Sequence, residues 1–227
     1  MGLSFFLDPA RSKKFLGRNH RLRATIPLKK IGMDLPLKDR ASTQTPRVEG
    51  LVSDAEDHGL LRQAAGGDGR AFHHLVDRHG ARLYRLAVSL VGNGADAEDV
   101  LQETFAGAFR GLKGFEARSS VKTWLTRILF TQAAKWRRER KRRPVERLES
   151  HEAEMGSVTG SVETAIDLQA ALGQLSVEHR QVLVLREFDG MAYQEMAEVL
   201  GVPRGTIESR LHRAREELRD KLKDYLP

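Results

Sequence analysis

Six polar side chains near the C-terminal end, Arg204, Thr206, Glu208, Ser209, His212 and Arg213, have the types and spacing to hydrogen-bond a base-pair edge. Residues four apart share a helix face, which places Glu208 beside His212 and Ser209 beside Arg213. A guanidinium offers two donors to guanine, a carboxylate accepts from cytosine, and serine and histidine adapt. Arg204 and Thr206 stand at the start of the same helix, where backbone N–H groups attract phosphate. This is chemistry of recognition rather than turnover.

The helix itself is required by Ile207, Leu211, Ala214, Leu218 and Leu222, whose period turns one stripe inward and leaves Glu208, Ser209, His212 and Arg213 outside. It runs from Arg204 to about Tyr225. Before it, Gly201-Val202-Pro203 makes a turn, and a shorter helix spans Met191 to Leu200. Together they read as a helix-turn-helix, the second member of which enters a DNA major groove.

Two further sets of chemistry-bearing residues lie upstream. Asp96, Glu98, Asp99, Gln102 and Glu103 form an acidic rim on one helix. DNA phosphate repels such a rim, so it calls for a cationic protein surface; as bare residues they also fit a solvated face with acids near a helix N-terminus. Arg118, Ser119, Ser120 and Lys122 occupy a loop and the start of the next helix, where they suit phosphate contacts and a polar pocket for an unstacked base. Arg127, Lys135 and Arg138 continue the cationic series. Lys135 to Arg143 holds seven cations in nine residues, a run that meets a DNA backbone without reading sequence or else is a solvated helix end. Trp124 reads either as a stacking platform or, being on the apolar stripe, as core.

Four amphipathic helices position these upstream groups. Ser53-Asp54-Ala55-Glu56 has capping-box spacing and opens a short helix ending near Gly66-Gly67. Asp68 caps a second, with Phe72, Leu75, Leu83 and Leu86 inside, stopped by Gly92-Asn93-Gly94. A third begins near Asp96 and ends at Lys113-Gly114, with Val100, Leu101, Phe105 and Phe109 inward. After a loop from Phe115 to Arg118, Ser119 or Ser120 caps a fourth, stopped by Pro144. The acidic stretch 145–160 reads as a linker, and helices over roughly Val162 to Leu175 and from Ser176 to Gly190 precede the helix-turn-helix. No stretch alternates with period two long enough to make a strand. The expected fold is all-α in two domains, 53–143 and 161–227, joined by 144–160.

Of the formal charge of +7, all resides in residues 1–50, where 11 Lys/Arg face 4 Asp/Glu. Residues 1–52 read as a disordered basic extension, either a loose binder of nucleic acid or acidic lipid, or a solvated arm preceding a true start at Met33. The absence of cysteine excludes disulfides and thiolate zinc sites and fits a cytoplasmic protein. No apolar run is long enough for membrane insertion, and the N-terminal apolar run is too short for a signal peptide. His73, His74 and His79 lack the spacing of a metal site, and there is no GxxxxGK[ST] or GxSxG segment. No catalytic residue, cofactor or metal is expected.

Asp96-Ala97-Glu98-Asp99-Val100-Leu101-Gln102-Glu103-Thr104-Phe105, followed by Phe115 and Thr123-Trp124-Leu125, resembles the second conserved region of bacterial sigma factors. Leu175-Ser176 through Ala197, then Gly201 to Arg215, resembles the fourth. With only a short linker between, the chain is similar to the extracytoplasmic-function group over about residues 55–225. The resemblance implies core RNA polymerase and promoter DNA as partners, with an anti-sigma protein holding the chain inactive. It assigns Asp96, Glu98, Asp99, Gln102 and Glu103 to the clamp of the largest polymerase subunits. It assigns Arg118, Ser119, Ser120, Lys122, Arg127, Lys135 and Arg138 to the minus-ten element, and the six recognition-helix residues to the minus-thirty-five element. Thr131 stands where that family commonly has asparagine. Two other readings remain: a free-standing helix-turn-helix regulator whose first bundle senses a signal or dimerises, and a nucleic-acid-processing enzyme.

Overall fold

A computed structural model describes residues 48–142 and 168–222, and every regular element among them is helical. The expectations for residues 1–47, for Arg143 and the linker, and for the chain beyond Leu222 lie outside the described residues.

The first bundle comprises α1 (Val48–Ala65), α2 (Gly69–Val91), α3 (Gly94–Gly111) and α4 (Val121–Arg142), with a 3₁₀ turn at Leu112–Gly114 after α3. Helix α1 starts at Val48, five residues before Ser53, so Ser53 lies inside the helix rather than at its start. Serine is tolerated inside a helix, and its spacing to Glu56 does not dictate where the chain enters one. At α2 the cap is as expected: Asp68 accepts from the N–H groups of Arg70 and Ala71, worth about 1 kcal/mol. The helix ends at Gly92, whose φ of +97° suits only glycine without strain. Asn93 then caps α3 by accepting from the Asp96 N–H.

The inward stripes meet as the periodicity requires. Leu75, Leu83, Val100, Phe105, Leu125 and Leu129 are each at most 3% exposed. Phe72 meets Phe105 and Phe109 edge-on. Each such side chain contributes about 1.5–3 kcal/mol by leaving water.

The second bundle comprises α5 (Leu168–Gln174), α6 (Val177–Leu183), α7 (Tyr193–Leu200) and α8 (Arg204–Leu222). Ser176 caps α6 by accepting from the His179 N–H. Rather than run straight to Gly190, α6 widens into a π-helical turn over Val184–Phe188, where Asp189 N–H reaches back to Val184 O. Gly190, at φ +67°, then turns the chain toward α7. All five apolar positions foreseen for α8 are buried.

The two bundles pack together, α7 across α4 and the π turn against α2. Within the first, Asp57 of α1 is 3% exposed and lies 2.8 Å from His79 Nε2, while Arg78 Nη1 donates to it at 2.7 Å. Burial pushes this carboxyl up, but hydrogen bonds and charge from His79 and Arg78 outweigh it and hold Asp57 below its usual 3.8.

Replacing Asp57 with Ala is expected to destabilise the protein by about 3 kcal/mol in urea unfolding, because His79 and Arg78 lose their buried partner. Since the folded value is depressed, the wild type's advantage over Asp57→Ala is full above pH 3.8 and disappears as pH falls through the folded value. An advantage that grows on acidification contradicts the assignment.

Candidate nucleic-acid interface

Three polar faces remain once the cores are closed. On α3, Asp99, Gln102 and Glu103 are exposed and Glu98 is half-buried, one turn apart along one side. Glu103 has a distant ion pair with Arg110 at 3.9 Å, both ends well exposed.

Asp96, grouped with this rim by spacing, is placed elsewhere. It is 4% exposed and accepts from Trp136 Nε1 at 3.2 Å and from Arg140 Nη1 at 2.8 Å. The cause is its position three residues after the cap Asn93, which folds the carboxylate over the first turn of α3, where α4 packs. Asp96 therefore joins α3 to α4 and is withdrawn from any surface a partner could touch.

The second face is the loop before α4 and the outer side of that helix. Ser120 Oγ accepts from the Thr123 N–H at 3.0 Å, settling which serine is the cap. Asp54 of α1 accepts from the Val121 N–H, so a second helix also fixes the start of α4. Ala117, at φ +53°, bends the loop through a conformation that alanine rarely adopts. Arg118 projects at 85% side-chain exposure, paired with Glu116, and Ser119 is half-buried.

Trp124 is half-buried, its ring centroid 5.0 Å from that of Phe115, and it packs at the edge of the core beneath the loop. Arg127, Lys135 and Arg138 are exposed along α4. The basic run is not a uniform stripe. Arg140 is drawn in by Asp96, and Arg137 is half-buried, its guanidinium pulled below the ordinary arginine value by that burial.

Lys122 departs from expectation most. Its ammonium lies 3.2 Å from Asp189 Oδ2, and it donates to the Asp189 carbonyl at 3.1 Å. Arg82 Nη1 donates to the same carboxylate at 2.9 Å. No periodicity signals Arg82 or Asp189, because they stand 107 residues apart and meet only through the packing of the two bundles.

The third face is α8. Glu208, Ser209, His212 and Arg213 are all exposed, as the stripe dictates. Arg204 Nε donates to Glu208 Oε1 at 2.9 Å, one turn along the helix. Ser209 Oγ donates to the Thr206 carbonyl, and His212 lies 3.4 Å from Glu216, one turn further along the helix. Arg213 has no ion pair among the described residues. The turn that presents α8 is closed by Gly201 at φ +65°, which donates to the Ala197 carbonyl.

Two bundles in this order, the second ending in a helix-turn-helix, have counterparts among known proteins. The description Sigma-70 region 2 matches residues 75–143, and Sigma-70, region 4 matches residues 165–218. The ECF RNA polymerase sigma factor SigM of Mycobacterium tuberculosis is 38% identical over 166 residues, covering 73% of this chain and 83% of that one. The chain belongs to the extracytoplasmic-function sigma factors of the sigma-70 family.

The sigma factor SigE of Mycolicibacterium smegmatis is 36% identical over 67% of this chain, and the match spans 62% of that protein, less than two thirds of its length. SigW of Bacillus subtilis is 31% identical over 72% of this chain and 95% of its own. Among solved structures, CnrH in complex with the cytosolic domain of CnrY superposes with a TM-score of 0.58 at 31% identity, over 74% of this chain and 98% of that one. The sigma factor RpoE in complex with the anti-sigma factor NepR from Bartonella quintana gives 0.56 at 30% identity, over 67% and 96%.

The two acids at the start of α3 in this sigma factor differ in what they do for the fold. Asp96→Ala is expected to cost about 1–3 kcal/mol in chemical denaturation, since Trp136 Nε1 loses its acceptor and Arg140 its ion pair with Asp96. Asp99→Ala, at the exposed surface, is expected to stay within about 0.5 kcal/mol of wild type. Equal losses would mean Asp96 is not the tie between α3 and α4.

Proposed function

We propose that this sigma factor joins core RNA polymerase, directs it to promoters with two sequence elements, and helps open the DNA. The observation that carries this reading is the ordered pair of matches, region 2 then region 4, each laid on its own helical bundle. The chain does no chemistry of its own; its binding free energy positions a separate enzyme. It acts in the cytoplasm, in line with the finding that no helix among the described residues is long and apolar enough to cross a membrane.

The α3 rim without Asp96, that is half-buried Glu98 with exposed Asp99, Gln102 and Glu103, binds a cationic clamp on the polymerase. Arg118, Ser119 and Ser120 hold the melted minus-ten strand, with Lys122, Arg127, Lys135 and Arg138 on its phosphates. Arg204, Thr206, Glu208, Ser209, His212 and Arg213 read the minus-thirty-five element in the major groove. For Glu208 to accept from a cytosine, Arg204 must share or release it. An anti-sigma protein occupies the same surfaces when the chain is held inactive, as the named complexes of its structural neighbours suggest.

Reversing charge at Asp99 and Glu103 is expected to abolish co-purification with core polymerase while the circular dichroism spectrum stays helical. Retained binding would remove the rim assignment. Arg213→Ala is expected to cost about 1–3 kcal/mol at one or two upstream base pairs. An equal loss on every sequence would show a phosphate contact only. Tight, selective promoter binding by the chain without polymerase would favour the free-standing regulator instead.

A further inference from the structure

Where the bundles meet, a carboxylate occupies a site made of cations from the first bundle. The Asp189 side chain is 3% exposed. Arg82 Nη1 donates to both its oxygens, at 2.9 and 3.0 Å, and Lys122 Nζ lies 3.2 Å from Oδ2. Arg82 and Lys122 come from α2 and α4, whereas Asp189 comes from the turn after the π-helical segment of the second bundle.

The arginine is held for this task. Thr126 Oγ1 donates to the Lys122 carbonyl at 2.8 Å and accepts from both Nη atoms of Arg82, at 3.1 and 3.2 Å. Its single proton is used, so Thr126 orients Arg82 and offers no donor to an anion. Arg82 Nε is buried without a hydrogen-bond partner among the described residues. The carboxylate thus leaves one donor of the guanidinium unfilled, whereas a phosphate presents more acceptor oxygens in a geometry that a guanidinium fork matches.

We propose that Arg82 and Lys122 form a phosphate site for the nucleic-acid backbone, and that Asp189 is its built-in occupant in the free chain. The proposal rests on the reading that the first bundle holds a melted strand, and it adds Arg82, which no periodicity marked. Asp189 and the strand compete for one pair of cations. The closed arrangement therefore withholds Lys122 from DNA and ties the helix-turn-helix to the first bundle. Opening the bundles frees both at once. A ligand shifts such an equilibrium only by its preference for one state, and here phosphate binds the open state alone.

Two variants of the full chain separate a phosphate site from a mere bundle tie. The chain lacks cysteine, so Gln63→Cys with Arg219→Cys, both exposed and in different bundles, reports the inter-bundle distance through two attached fluorophores. Asp189→Asn is expected to lengthen that distance and to raise affinity for a mixed-sequence single-stranded oligonucleotide by about fivefold or more, the usual size of such a coupling. Glu198→Gln makes the same charge change at an exposed position of α7 and is expected to change neither.

Arg82→Gln is expected to lengthen the distance as well, but to lower the affinity and to reduce the salt slope by about 0.7, one phosphate contact on a single strand. The proposal is overturned if Asp189→Asn leaves distance and affinity unchanged, or if Arg82→Gln raises affinity as Asp189→Asn does. No polymerase enters this assay, so a failure of polymerase binding and a failure of the phosphate site are read separately.

Discussion

A carboxylate taken out of water must be compensated by cations and hydrogen-bond donors, and three aspartates impose that constraint on this chain. Asp57 joins α1 to α2 through Arg78 and His79, Asp96 joins α3 to α4 through Arg140 and Trp136, and Asp189 joins one bundle to the other through Arg82 and Lys122. The last two draw cations inward, Arg140 to Asp96 and Arg82 with Lys122 to Asp189, while Arg78 stays exposed beside Asp57. The cations left exposed include Arg118, Arg127, Lys135, Arg138 and Arg213, the ones that the proposed function assigns to DNA. On that reading, structure and recognition draw on one pool of arginine and lysine, and Asp96 and Asp189 set part of the division.

The same constraint explains the shape of each polar face. Helices α3, α4 and α8 spend one stripe on the core, which leaves each a single outward side. On α3 that side is anionic, on α4 cationic, and on α8 mixed, with Arg204 and Glu208 already paired and Arg213 outside any such pair among the described residues. An anionic side suits a protein partner and a cationic one suits phosphate. A mixed side, able to donate and accept, suits base edges.

The local parts of this arrangement were legible in the sequence. Period and caps placed α2, α3, α4 and α8, with Asp68, Gly92 and Ser176 acting where their types suggested. The inward stripe of α8 follows the sequence period residue by residue. What was illegible depended on partners far along the chain. Asp96 looked like a member of the rim because helical spacing puts it near Asp99, and only the approach of Trp136 and Arg140, 40 and 44 residues on, draws it inside. Lys122 looked free because Asp189 is 67 residues away. The start of α1 was misplaced because Ser53 and Glu56 mimic a capping box within a continuing helix. The π-helical turn that aims Asp189 has no composition signature.

The most direct measurement is sequencing of transcript 5′ ends made on genomic DNA by purified core RNA polymerase, with and without this chain. With the chain, starts are expected to concentrate at discrete positions that share two upstream elements at fixed separation. Starts distributed as for core polymerase alone would contradict the role of this chain as the positioning subunit.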